Sequence, residues 1–156
     1  MEVFGDFRPI EPHELKGGNL FFMSNAANPE SPPDLYLKAE DDFVVKLTAG
    51  GIPELCYRNP VHMNLPLIVD DAGIMPVIGA MQWRGARAGD LIVYNGIWAL
   101  YVDRTKLSNE LPTLVGVLDG QFHSLSQAAA CFGSWKIVIR RNVSVEEVIA
   151  QFPRQE

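Results

Sequence analysis

Apolar and polar side chains alternate in short segments along most of the chain after residue 34. In residues 34–39 two leucines alternate with Tyr36 and Lys38, and residues 43–48 are rich in β-branched side chains. A period of two and β-branched residues are typical of half-buried β-strands. Similar segments, bounded by Pro, Gly or Asp, follow at residues 54–59, 65–70, 75–84, 91–94, 97–102, 113–118 and 135–140. The pattern predicts a mainly β protein of short strands.

Local signals indicate where some of these strands turn or end. Asn95-Gly96 separates two apolar segments, and this dipeptide tolerates the positive φ angles that a two-residue type I′ hairpin turn requires. Pro66 and Pro76 lack a backbone N–H, so we expect them at strand starts or at sheet edges.

Two segments have the apolar spacing and the capping signals of short helices. Ser124 is followed three residues later by Gln127, and Ser144 by Glu147, which is the capping-box pattern of a helix N-terminus. Apolar residues at helical spacing follow each box, and Gly or Pro comes just after the last of them. The helices are predicted over residues 125–132 and 144–152.

Short strands with apolar faces favour a closed architecture, because closure removes the exposed edges through which such strands otherwise pair. About eight strands and two short helices therefore predict a closed or nearly closed β-barrel, with a β-sandwich as the main alternative. No repeat and no break in composition divides the chain, so we predict a single domain over residues 1–156. Its expected parts are an N-terminal extension, a barrel and a C-terminal helix, at residues 1–19, 20–142 and 144–152.

The composition is typical of a soluble globular protein and unlike that of a nucleic-acid binder. Of the 156 residues, 47% are hydrophobic and 21% are charged, and the net charge is −6. Nucleic-acid binders neutralise phosphates with clustered Lys and Arg. The basic cluster of Lys136, Arg140 and Arg141 is better explained as the solvated face of a strand. We therefore expect no nucleic acid among the partners.

Neither a membrane segment nor a targeting signal is evident. No apolar run approaches the roughly 20 residues that cross a bilayer. The first residues, MEVFGDFRPIEPHE, are acidic and interrupted by prolines, unlike a signal peptide. Cys56 and Cys131 lie among apolar neighbours and are too few for a disulfide framework. These features predict a cytoplasmic protein with no membrane partner.

Known catalytic and metal-binding motifs are absent from the sequence. His13, His62 and His123 are scattered, and neither Cys56 nor Cys131 belongs to a CxxC pair, so no metal site is expected. The sequence contains no GxSxG, Walker-type GK[ST] or GxGxxG segment, and we predict no cofactor. The acidic runs at residues 40–42 and 70–71 are expected to be solvated turns.

The hairpin region contains residues that resemble a segment of a known family. These residues are Gly89, Asp90, Leu91, Tyr94, Gly96, Ala99 and Leu100. This pattern, followed by Val-Gly-Val at residues 115–117, the segment 125–132 and the strand 135–140, resembles small bacterial and archaeal proteins with a cyclophilin-like barrel. The match covers roughly residues 89–141, about a third of the chain. It implies an eight-stranded barrel with helices at its ends, and little about activity, because these prokaryotic relatives are largely uncharacterised.

The same resemblance directs attention to Arg58. Cyclophilins isomerise X-Pro bonds with an arginine in a Phe-His-Arg strand, and Cys56-Tyr57-Arg58 is loosely similar to that segment. The Phe, Met, Gln and Gly pattern that follows it in cyclophilins is replaced here by Asn-Pro-Val-His-Met at residues 59–63.

Six residues are candidates for a binding site. Arg58 and His62 would combine an anion or carbonyl anchor with a titratable base. Trp83 and Arg84 would clamp a flat ligand by stacking. Tyr101, or Trp98 on the opposite face of the same strand, would line a pocket mouth. The alternatives are local hydrogen bonds for Arg58 and His62, a core Trp with a surface Arg for the second pair, and core packing for the two aromatics.

Three classes of function follow from these candidates. The favoured one is binding of a small molecule or peptide at an open face of the barrel, through Arg58, His62, Trp83, Arg84 and Tyr101. The second is an enzyme, either a weak prolyl isomerase or a small-molecule hydrolase or isomerase, with Arg58 and His62 in the catalytic roles. The third is a protein-interaction module that uses residues 25–34 or the C-terminal helix. The sequence leaves the oligomeric state open.

Overall fold

The computed structural model describes residues 7–24, 30–47, 51–58, 64–103, 114–125, 127–142 and 145–152. These residues form mainly β-strands, as predicted, and two short 3-10 segments, Pro12–Glu14 and Ile78–Ala80. The strands are β1 (Phe7–Pro9), β2 (Leu20–Met23), β3 (Asp34–Lys38), β4 (Phe43–Lys46), β5 (Glu54–Tyr57), β6 (Leu67–Val69), β7 (Ala72–Pro76), β8 (Met81–Arg84), β9 (Leu91–Tyr94), β10 (Ile97–Tyr101), β11 (Leu114–Gly116), β12 (Phe122–His123), β13 (Ala129–Phe132), β14 (Trp135–Asn142) and β15 (Val145–Phe152).

The strands pair into three open sheets. The first has the order β1-β6-β2-β3-β4-β5, the second β12-β11-β10-β9-β13-β8, and the third β15-β14-β7. An isolated parallel bridge between Glu54 and Asp103 connects the first sheet to the second. The mainly β class is therefore confirmed, whereas none of the sheets in the described part of the chain closes into the predicted barrel.

All three sheets contribute to the main hydrophobic core. It includes Leu35 and Leu37 of the first sheet, Leu91 and Leu100 of the second, and Trp135 of the third. The strand register alternates side chains between two faces, so every second residue of a strand enters this core. The Trp135 ring stacks on Phe152 at a centroid distance of 4.0 Å, and its indole N–H donates to the Gly89 carbonyl at 2.8 Å.

The Asn95-Gly96 hairpin is confirmed. Tyr94 and Ile97 face each other across the turn, and Asn95 and Gly96 have φ angles of 47° and 75°. Positive φ at both turn residues is the type I′ requirement that the dipeptide was expected to meet.

The prediction of a helix over residues 125–132 is wrong, because Ala129–Phe132 form strand β13. This strand lies between β8 and β9, and all four of its residues are buried. Ala130 and Phe132 face the main core side, while Ala129 and Cys131 pack in a separate cluster on the other face of the second sheet. A strand buried on both faces has a continuous apolar sequence, and its periodicity does not distinguish it from a buried helix.

The predicted helix at residues 144–152 is also wrong, because Val145–Phe152 form strand β15. β15 pairs antiparallel with β14, and the register shifts between Ile137 and Val138, whose partners are Ala150 and Val148. Ile149 is thus the extra residue of a β-bulge. The bulge changes the alternation within the strand, so its apolar residues occur at a spacing that resembles that of a helix.

The segment predicted as an N-terminal extension contributes to the first sheet. β1 pairs with β6, and Leu15 packs with Phe21 and Tyr36 on the face of this sheet opposite the main core. Among the described residues, no helix has the length and apolar character needed to span a bilayer.

Candidate functional site

An apolar cavity of ≈ 470 Å³ lies where the three sheets meet. Its lining residues come from segments that are far apart in the sequence: Gly18, Leu20 and Leu37, then Ala72, Gly73, Ile74 and Pro76 of β7, then Leu91, Trp98, Val117 and Leu118. None of these side chains is charged, so the described residues give the cavity an apolar surface together with the backbone groups that border it.

Two side chains define the accessible side of this cavity. Trp98 is half-buried and packs against Phe132 with ring centroids 5.7 Å apart. Leu118 is 83% exposed although it lines the cavity, which places it at the rim. The sequence had indicated Trp98 as a possible pocket residue, whereas it gave no signal for Leu118.

Strand β7 borders the cavity and is an edge strand of the third sheet. Two hydrogen bonds define how its backbone is oriented. The Val77 N–H donates to the Ser134 carbonyl at 3.0 Å, and the Arg140 N–H donates to the Asp71 carbonyl at 3.1 Å. Residues 71 and 77 therefore direct their polar backbone groups towards β14.

In an antiparallel pair, successive residues direct their N–H and C=O groups alternately towards the partner strand and away from it. Residues 73 and 75 consequently point towards β14, like residues 71 and 77. Ala72, Ile74 and Pro76 point away from it, and their backbone groups make no hydrogen bond to any described residue. Pro76 is at an edge, as its missing N–H predicted.

The side chains of β7 divide between two faces. Ala72 and Ile74 lie opposite Ile139 and Ile137 and pack against the main core. Met75 points to the outer face, where it lines a second, shallower cavity of ≈ 690 Å³ together with Val138 and Arg140. The edge of β7 that faces away from β14, with which no described strand pairs, thus separates two concave surfaces.

His62 lies outside the described residues, so the structure does not test the predicted pairing of Arg58 with His62. Arg58 follows β5, and its Nη1 donates to the Tyr57 carbonyl at 3.4 Å on an exposed surface. Arg58 lines neither of the cavities beside β7. The enzyme hypothesis that used this pair stays a prediction.

Arg84 is engaged in a part-buried ion pair. Its Nη1 and Nη2 donate to the two carboxylate oxygens of Asp90 at 2.5 and 2.9 Å, and its Nε donates to Gln82 at 2.9 Å. Asp90 also accepts the backbone N–H of Arg87 at 2.7 Å. These hydrogen bonds to Asp90 raise the pKa of the Arg84 guanidinium. The arrangement holds the loop before β9 in place.

Trp83 and Tyr101 lie on different faces of the second sheet. Trp83 is 77% exposed on the edge strand β8, where Met81 on the same face is 54% exposed. Tyr101 is half-buried and packs with Ala99 on the face opposite the main core, as its parity predicted. The structure therefore does not bring Arg58, Trp83, Arg84 and Tyr101 together in one pocket.

Other polar groups have structural partners or stand alone. Lys38 is buried, and its Nζ donates to the carbonyls of Ala39 and Asp41 within the acidic turn. Burial lowers the pKa of this amine. His123 Nε2 is buried and makes no hydrogen bond to any residue that the structure describes. The described residues contain no group of three or more His, Cys, Asp or Glu side chains that could hold a metal ion.

Comparison with known proteins finds no matching family model, no matching curated protein and no matching solved structure. The resemblance to small prokaryotic proteins with a cyclophilin-like barrel accordingly stays a prediction.

Proposed function

We propose that this protein binds an apolar small molecule or peptide in the cavity at the junction of the three sheets. The observation that supports the proposal is the cavity itself, with a volume of ≈ 470 Å³ and no charged side chain among the described residues that line it. Ligand sites in proteins are concave, mainly apolar and about 300–1,000 Å³ in volume.

The position of the cavity also supports binding. Aliphatic side chains of the first sheet, the edge of β7 and the Trp98 indole border one space, so a ligand there would contact all three sheets. The exposed rim residue Leu118 leaves an apolar surface in water, and covering it with a ligand would be favourable by about 25 cal/mol per Å² of apolar surface.

The proposal can be tested with a rim substitution and the neutral apolar dye Nile red. In Leu118→Arg a long cationic side chain replaces a cavity-lining leucine that is 83% exposed, so the fold should tolerate the change. Leu65→Arg is the matched control, because Leu65 is 58% exposed and does not line the cavity. Dye fluorescence titrated with each protein measures the dissociation constant.

We expect the wild type and Leu65→Arg to bind the dye equally and Leu118→Arg to bind it at least tenfold more weakly. Equal binding by both variants would place the dye on another surface and contradict the proposal, as would absence of binding to the wild type. Melting curves of both variants establish that each is folded.

A further inference from the structure

The edge of β7 with which no strand of the described part of the chain pairs indicates what kind of ligand the cavity accepts. We propose that this ligand is an extended peptide segment that pairs with β7 and becomes the fourth strand of the third sheet. This inference rests on the proposed function, since it assigns the ligand class of the same cavity.

The outward edge of β7 offers backbone hydrogen-bonding groups to such a peptide. Ala72 and Ile74 each direct one N–H and one C=O away from β14, and Pro76 directs one C=O the same way. A peptide lying alongside could form up to five backbone hydrogen bonds with these groups. Strand addition of this kind derives affinity from the main chain, and pockets for alternate side chains supply specificity.

The amino-acid composition of this edge also favours strand addition. Proteins commonly protect edge strands with charged residues, which hinder pairing with another chain. The edge strands β1, β5, β8 and β15 each contain a charged residue, whereas β7 has the sequence Ala-Gly-Ile-Met-Pro. Of the described edge strands longer than two residues, β7 is the one without a charge.

Both faces beside the edge can receive side chains of an added strand. Every second residue of an added strand would face the same side as Ile74 and enter the apolar cavity towards Trp98 and Leu118. The residues between them would face the outer cavity, beside Met75 and Arg140.

The outer face determines the chemistry of the remaining peptide positions. Met75 lies opposite Lys136 on this face, and Asp71, Val138 and Arg140 line the outer cavity with it. The peptide would thus have an apolar surface on the cavity side and polar side chains on the outer side. The expected ligand therefore alternates apolar residues with polar ones.

The test is a selection of random heptapeptides displayed on phage against the full chain. Selected peptides are then synthesised with a fluorescent label, and fluorescence polarisation measures their affinities. Ile74→Pro removes an outward N–H without removing a hydrogen bond to β14, because Ile74 points away from that strand. Ile74→Val is the matched control, since it keeps the N–H and nearly the whole side chain.

We expect the selected peptides to bind the wild type and Ile74→Val alike and to bind Ile74→Pro at least tenfold more weakly. Methylation of the peptide nitrogens should weaken binding to the wild type only at every second position. This measurement on the wild type decides the question even if Ile74→Pro fails to fold.

Several outcomes would overturn the inference. Selection of no peptide, or equal sensitivity at all methylated positions, would exclude strand addition. If strand addition fails but Nile red binds the wild type and binds Leu118→Arg at least tenfold more weakly, the proposed function survives. If neither dye nor peptide binds, both proposals are wrong. If the chain dimerises, Ile74→Pro abolishes the dimer and the selected peptides do not compete with dimerisation, then the edge binds a second copy of the chain instead.

Discussion

Replacing Asp90 with alanine should lower the free energy of unfolding by about 1.5–3 kcal/mol, the usual contribution of hydrogen bonds to charged groups, because it removes the carboxylate of a part-buried ion pair. The side chains of Arg84 and Asp90 are only 18% and 5% exposed, so water cannot readily replace the missing carboxylate. The substitution also removes the acceptor of the Arg87 N–H.

An exposed ion pair provides the matched comparison. Arg8 and Asp70 approach to 2.8 Å, but their side chains are 56% and 43% exposed. Surface pairs of this kind contribute about 0–1 kcal/mol. Asp70→Ala should therefore change stability by no more than about 1 kcal/mol, although the same type of residue is removed from the same type of pair.

Urea denaturation followed by circular dichroism measures both differences. A domain of this size shifts its melting temperature by roughly 2–4 °C per kcal/mol, so Asp90→Ala should melt about 3–12 °C below the wild type. Replacing both partners, with Arg84→Met and Asp90→Leu together, should cost less than Asp90→Ala alone, because no unpaired charge stays buried.

The reasoning would be refuted if Asp90→Ala and Asp70→Ala destabilised the protein equally. It would also be refuted if Arg84→Met left stability unchanged but weakened ligand binding. That second result would return Arg84 to the ligand-binding role that the sequence had indicated.

Three further predictions concern single groups in the fold. Trp135→Phe should lower the free energy of unfolding by about 1–3 kcal/mol, because the Gly89 carbonyl loses its donor; urea denaturation showing no loss would contradict this. Gly120→Ala should destabilise the fold in the same assay, because Gly120 has a φ of 70° and an added Cβ would lie 2.3 Å from the Lys38 carbonyl oxygen. Gly73→Ala should be tolerated, because open space surrounds Gly73, and equal effects of the two substitutions would contradict this prediction. Lys38 has a lowered pKa, so between that pKa and 10.5 the unfolded chain binds more protons than the folded one. Wild-type stability should therefore rise with pH in this window relative to Lys38→Met, and parallel pH profiles of the two proteins would contradict this prediction.

Features that depend on neighbouring residues were predictable from the sequence. The Asn95-Gly96 turn depends on two adjacent φ angles, and only a few residue pairs tolerate them. The placement of Pro76 at an edge follows from its missing N–H. The faces of β10 and β14 follow from the period of two, which is a property of the extended backbone itself.

The errors at β13 and β15 arose where strand pairing overrode the local pattern. Residues 129–132 are uniformly small or apolar, and only their position between β8 and β9 makes them a strand. In β15 a bulge at Ile149 shifts the alternation, and that bulge exists only in the pairing with β14. The apolar pattern of one segment contains no information about the partner strand, and the partner strand decides the structure in each case.

The sequence by itself determined that this is a mainly β protein, where one hairpin turns and which faces of several strands are apolar. The tertiary structure alone decided the site. The cavity is lined by Leu20, Leu37 and Leu118, which only the packing of different sheets brings together. Arg84 forms its ion pair with Asp90 because the loop between them folds back. Whether a strand is left at an edge depends on the pairing of all the others, and backbone groups that lack a partner become visible only when that pairing is complete.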